Sequence, residues 1–117
     1  TKNKPDELLE LLYSVYLQTE QADEVIIIDD CSTVLYDLSL FECILPIKYI
    51  KLDSQKGANY CRNLGVDLSK NDIIAFSDDD DIWLSHKMKQ QISHFKCGFK
   101  ATACNYFFLN NDIIIFT

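Results

Sequence analysis

Three short apolar runs in this chain each end on acid: "EVIIIDD" (residues 24–30), "IKYIKLD" (47–53) and "DIIAFSDDDD" (72–81). Runs of this length, rich in β-branched residues, read as strands. Helical spacing separates them. Leu8, Leu12 and Val15 share one stripe of "KPDELLELLYSVYLQ", with Pro5, Asp6 and Glu7 placed as a helix start prefers. Ala58, Cys61, Leu64 and Leu68 form a second stripe in "GANYCRNLGVDLSK", and Leu84, Met88, Ile92 and Phe95 form a third. A short helix is expected somewhere in 33–45. "ATACNYFFLNNDIIIFT" reads as two strands around the polar turn Asn110-Asn111-Asp112. Strands alternating with helices predict an α/β fold with a mainly parallel sheet flanked by helices, strands 24–29, 47–52 and 72–77 running parallel.

In open sheets of this kind, ligands bind outside the carboxyl ends of the strands. Two acidic clusters, Asp29-Asp30 and Asp78 to Asp81, therefore converge on one edge. Adjacent like charges at ~6 Å repel by roughly 0.7–3 kcal/mol across the plausible range of dielectric. Aspartates are common in turns after strands, and Asp53 needs no other explanation. Six aspartates in two strand-end clusters do need one, and a hard divalent cation supplies it. Mg²⁺ takes one or two protein carboxylates and completes its octahedron with water and phosphate oxygens. An EF-hand loop counted from Asp78 fails, because its sixth position is Trp83 and its twelfth is Lys89. A phosphoacceptor receiver domain is the rival, a signalling module with an acidic pair after a strand. It requires that pair on the first strand and a lysine on a late strand end, whereas here a whole helix comes first and no lysine follows Lys100.

The totals narrow the function classes. A length of 117 residues suits one domain, and 48% hydrophobic with 25% charged residues is a globular composition. The net charge of −7 argues against a nucleic-acid partner. No apolar run approaches the ~20 residues that span a bilayer, and no signal-peptide pattern is present. The five cysteines are odd in number and include no C-x-x-C pair, so free thiols in a reducing cytosol are expected.

Taken in order, the segments resemble a family 2 glycosyltransferase of the GT-A fold, a Rossmann-like nucleotide-diphospho-sugar transferase. "TKNKPDELLELLYSVYLQT" is similar to the family's P-T-x-N loop and first helix. "EVIIIDDCST" resembles its second strand and nucleoside-holding acids. "KGANYCRNLGV" resembles its G-x-x-x-x-R-N-x-G segment, and "DIIAFSDDDDIWLSHKM" its D-x-D motif with the aromatic that follows. The resemblance covers nearly the whole chain, as a partial, donor-binding domain over residues 1–117.

That resemblance implies a nucleotide-diphosphate-sugar donor, a UDP-sugar foremost, and Mn²⁺ or Mg²⁺. It further implies a saccharide or lipid-linked acceptor, inversion at the transferred carbon, a role in cell-envelope polysaccharide synthesis, and a cytoplasmic place peripheral to the membrane. Residue by residue, Thr1 matches the loop that borders the nucleobase. Asp30 matches the acid on the base, with Asp29 beside it, and Arg62 matches the family arginine. Asp78 and Asp80 match D-x-D, with Asp80 the direct metal ligand and Asp78 on the ribose or a metal-bound water. Asp79 joins the donor site because some members use an adjacent pair. The family's first strand is expected just before Thr1, and its acceptor half, with the base that activates the acceptor, beyond Thr117. The fragment alone is therefore expected to be inactive and marginally stable. Cys31 stands where the family often has glycine, a change expected to be harmless. Surface or core-edge roles are expected for His86 and His94, packing for Trp83, and sheet core for residues 106–108.

Overall fold

A computed structural model describes residues 1–104 together with the backbone of 107–110 and 113–116. Helix α1 (Pro5–Tyr16) opens with proline in its first turn and two acids behind it, Asp6 and Glu7. Its stripe is buried as expected: Leu8, Leu11, Leu12 and Val15 all lie inside. Strand β1 (Val25–Asp29) follows, then the one-turn helix α2 (Ser39–Glu42) and strand β2 (Ile47–Lys51). The two strands pair in parallel from Val25↔Ile47 to Asp29↔Lys51, so both deliver their carboxyl ends to one edge. α1 covers this sheet together with Leu38, Phe41 and Leu45 around α2, and these residues with Ile27 make up the core.

Helix α3 (Ala58–Leu68) falls where the spacing placed it, α4 (Lys87–Lys96) starts three residues after the first residue of its stripe, and neither buries a residue fully. Strands β3 (Phe107–Asn110) and β4 (Ile113–Phe116) pair antiparallel in a separate ribbon. The expected turn residues Asn111 and Asp112, and the expected core aromatic Tyr106, lie outside the described residues.

The third parallel strand is a correction. Residues 72–77 join no ladder among the described residues, and Ile73, Ile74 and Phe76 are exposed. The reason lies at the far edge of β1. There the N–H of Thr1 donates to the Ile28 carbonyl at 2.8 Å, and the N–H of Asp30 donates to the Thr1 carbonyl at 2.9 Å. This is one step of a parallel ladder, with Thr1 opposite Asp29. Below that step, β1 has no strand neighbour on this side among the described residues. A cavity of about 900 Å³ runs along this edge, with Ile26 to Ile28 on one wall and Ile73 to Phe76 on the other. An apolar run without a partner within hydrogen-bond reach cannot be a strand, however β-branched its residues.

Cys31 is a second correction. Its φ of 64° puts an L-residue in the left-handed region, where glycine rests without strain.

Candidate functional site

The cavity reaches the carboxyl end of β1, where Ile28 and Asp30 line it. Thr1, Asp30, Arg62, Asp78, Asp79 and Asp80 all border it. Asp29 does not. It is 0% exposed, and its carboxylate accepts from the Ser32 N–H at 2.8 Å and from the Tyr49 hydroxyl. Burial pushes its pKa up, but the bonds from Ser32 and Tyr49 outweigh that and hold it below the usual carboxylate range. Enclosed this way, Asp29 fixes the turn that carries Asp30 and is out of reach of a ligand, contrary to the donor contact expected of it. Tyr49, one strand away, shows no such role in sequence.

Asp30 ties two segments together. Its oxygens accept from the N–H of Lys56 at 2.6 Å and of Gly57 at 2.9 Å, just before α3 begins. The Lys56 amide, against the cost of burial, is the main cause of its lowered pKa. Each carboxylate oxygen can accept more than one bond, so room for a ligand donor remains. Cys61, on the first turn of α3, lines the same cavity, and burial beside Asp30 raises its thiol pKa. That shift disfavours the thiolate, the form that would act as a nucleophile. The cysteines 31, 43, 61, 97 and 104 are all free, as expected.

The four aspartates form a turn, closed by the Asp81 N–H on the Asp78 carbonyl at 3.3 Å. Trp83 braces it from below. The indole N–H donates to Ser77 Oγ at 2.9 Å and the Trp83 backbone N–H donates to Ser14 Oγ of α1 at 3.0 Å, which is the packing role expected of this aromatic. The repulsion within the turn is offset at three of the four aspartates. Arg62 Nη2 sits 2.6 Å from Asp78 Oδ1. Lys4 Nζ sits 2.6 Å from Asp80 Oδ2 and 3.2 Å from Asp79 Oδ1. Asp79 also accepts the Lys2 backbone N–H at 3.2 Å. Burial raises the Asp79 pKa, and the bonds from Thr1 and Lys4 more than reverse it. Asp80 and then Asp79, in turn, hold Lys4 well above the ordinary lysine range.

Asp79 is therefore the carboxylate that shares a cation with Asp80, whereas Asp78, expected beside Asp80 on a metal, faces Arg62. No cluster of three or more metal-ligating side chains exists among the described residues. A magnesium-like ion needs only one or two carboxylates, and the two oxygens converging on the Lys4 ammonium already serve a positive charge. The donor set fits a hard cation.

A family comparison decides what this edge belongs to. Residues 1–112 match the family described as glycosyl transferase family 2. The chain belongs to that family. The receiver alternative falls with this match. An uncharacterized glycosyltransferase of Haemophilus influenzae is 37% identical over 90 residues, 75% of this chain and 30% of that protein. The Escherichia coli enzyme WfgD, named UDP-Glc:alpha-D-GlcNAc-diphosphoundecaprenol beta-1,3-glucosyltransferase, is 33% identical over 107 residues, 87% of this chain and 41% of its own length. Among solved structures, S. aureus TarS 1–349 superposes with a TM-score of 0.71 at 26% identity, covering 82% of this chain and 30% of that one. TarS 1–349 in complex with UDP superposes at 0.67 and 25% identity, covering 81% of this chain and 30% of that one. This glycosyltransferase segment has an incomplete GT-A fold and spans well under half the length of those relatives. Among the described residues, no helix is long and apolar enough to cross a membrane.

Proposed function

We propose that this segment is the donor-binding part of an inverting, metal-dependent glycosyltransferase that uses a UDP-sugar and serves cell-envelope polysaccharide synthesis. One observation carries the reading. Thr1, Asp30, Arg62 and the acid turn, far apart in sequence, line one cavity, with Thr1 bonded to Asp30 at the carboxyl end of β1. The UDP complex of TarS supports the nucleotide, and the name of WfgD supports a lipid-linked saccharide acceptor.

In this reading Thr1 and Asp30 flank the nucleobase, with Asp29 holding Asp30 in place. Asp80 would be the direct ligand of Mn²⁺ or Mg²⁺, with Asp79 or Asp78 beside it, and Arg62 would offer its guanidinium to the diphosphate. The metal's chemistry is that of a Lewis acid, offsetting charge on the departing diphosphate. The acceptor oxygen bonds the sugar's anomeric carbon as the bond to the diphosphate breaks. The acceptor proton goes to a general base.

The test is calorimetric titration of UDP with and without Mn²⁺, on this protein and on Asp80→Ala. Binding is expected to require Mn²⁺ and to weaken by about tenfold or more without Asp80, the loss of one strong charge-assisted contact. Equal affinity in all four combinations overturns the reading.

A further inference from the structure

Lys4 occupies a position that helix physics disfavours. It is the N-cap residue of α1 and makes no side-chain cap bond, where serine, threonine or aspartate would satisfy an orphan N–H. Its charge also opposes the positive end of the helix dipole. The compensation lies far along the chain, in one oxygen from each of the adjacent carboxylates Asp79 and Asp80. Two converging carboxylate oxygens are the protein share of a hard divalent site. Both Lys4 and Asp80 are open to solvent, with side chains 40% and 55% exposed, so exchange needs no unfolding.

We infer that the Lys4 ammonium is the resident cation of the acid turn, and that a divalent cation binds Asp79 and Asp80 by displacing it. The inference rests on the metal-dependent reading above. It explains how the turn stays folded between metal-loaded states, when neighbouring carboxylates would otherwise repel. It also makes metal affinity a competition rather than a simple encounter.

The experiment titrates Mn²⁺ alone into the protein, Lys4→Met and Lys2→Met. Lys2 is the control: a lysine two residues away whose side chain bonds Gln55 rather than the acids. Lys4→Met is expected to bind Mn²⁺ roughly fivefold more tightly, the scale of a partly exposed ion pair, and Lys2→Met to stay within about twofold of the parent. In parallel, the side-chain ¹⁵N signal of Lys4 is followed as Mg²⁺ is added, and is expected to move from its carboxylate-bound position to that of a free lysine at saturation. Should Lys4→Met fail to fold, this second measurement decides alone. Equal tightening in both lysine variants, or an unmoved Lys4 signal in metal-saturated protein, overturns the inference and leaves the metal reading standing. No Mn²⁺ binding by any of the three proteins overturns both.

Discussion

Residues 1–45 and residues 58–96 are both built on helices with clean apolar stripes, yet the first region buries its stripe and the second does not. Every core residue, from Leu8 to Leu45, comes from the first. In the second, α3 and α4 bury no residue fully: Cys61, Leu64, Leu68, Met88, Ile92 and Phe95 stay half-buried, and Cys61, Met88 and Ile92 line the cavity. The two regions do not differ in pattern. They differ in what stands opposite among the described residues: α1 and α2 have the β1–β2 sheet, while on the side of α3 and α4 β1 has no strand neighbour beyond the single Thr1 step. An apolar stripe is half of a contact, and a sheet edge left open withholds the other half.

Completing that edge is the largest change available. Five or six apolar, β-branched residues placed before Thr1 would continue the parallel ladder that Thr1 begins beside Asp29. At roughly 1.5–3 kcal/mol per buried side chain they contribute on the order of 8–15 kcal/mol, an upper estimate comparable to the ~5–15 kcal/mol stability of a whole domain. The thermal midpoint should rise sharply, residues 72–77 should gain amide protection as a strand, and self-association should fall. A sharp, monomeric, cooperative melt of residues 1–117 that the extension leaves unchanged would break the comparison.

Two truncations sharpen it. Leu12, at 2% exposure in the core, should lose about 2–5 kcal/mol on change to alanine. Val66→Ala in α3 should cost no more than about 0.5 kcal/mol, because its side chain is already half in water. Urea midpoints of the two variants measure the gap directly. Similar costs would mean that α3 is packed as tightly as α1.

The same contrast explains what could be read in advance. β1, β2, α1 and α3 fall within a residue or two of their apolar runs, because each run is a local statement about one face. α4 begins at Lys87 rather than Leu84, since Ser85 and His86 first make a turn in which the Lys87 N–H reaches the Leu84 carbonyl. Residues 72–77 were misread because composition reports an appetite for burial, and a strand needs a partner as well. At the site, the place of Asp30 follows from the direction of β1, whereas Asp78 to Asp80 reach the same edge without a strand, tied there by Arg62 and Lys4. The enclosure of Asp29 by Tyr49 and Ser32 does not follow from strand direction either, being settled by packing across the sheet. Lys4 carried a faint signal: a basic N-cap ahead of Pro5 is a poor helix start that calls for an acid elsewhere.

The one stabilising substitution predicted within the chain lies inside the well-packed region, at Cys31. Its neighbours Asp30 and Ser32 are both buried and hydrogen-bonded, to the Lys56 and Gly57 amides and to Asp29, so the residue between them has no freedom to leave φ 64°. An L-residue held there gives up roughly 1–2 kcal/mol that glycine does not. Against this, glycine widens the unfolded ensemble by roughly 0.4–1 kcal/mol. The substitution also removes the thiol's contact with the Asp53 carbonyl at 3.6 Å, a weak one for a sulfur donor. The balance favours Cys31→Gly by about 0.5–1 kcal/mol, a rise of about 3–5 °C in the thermal midpoint. Gly57, at φ 89° beside the same carboxylate, supplies the opposite sign, and Gly57→Ala should lower the midpoint by a similar amount. A destabilised Cys31→Gly would mean that the Sγ contact outweighs the backbone strain, and that the turn carrying Asp30 is held by its side chains more than by its dihedral angles.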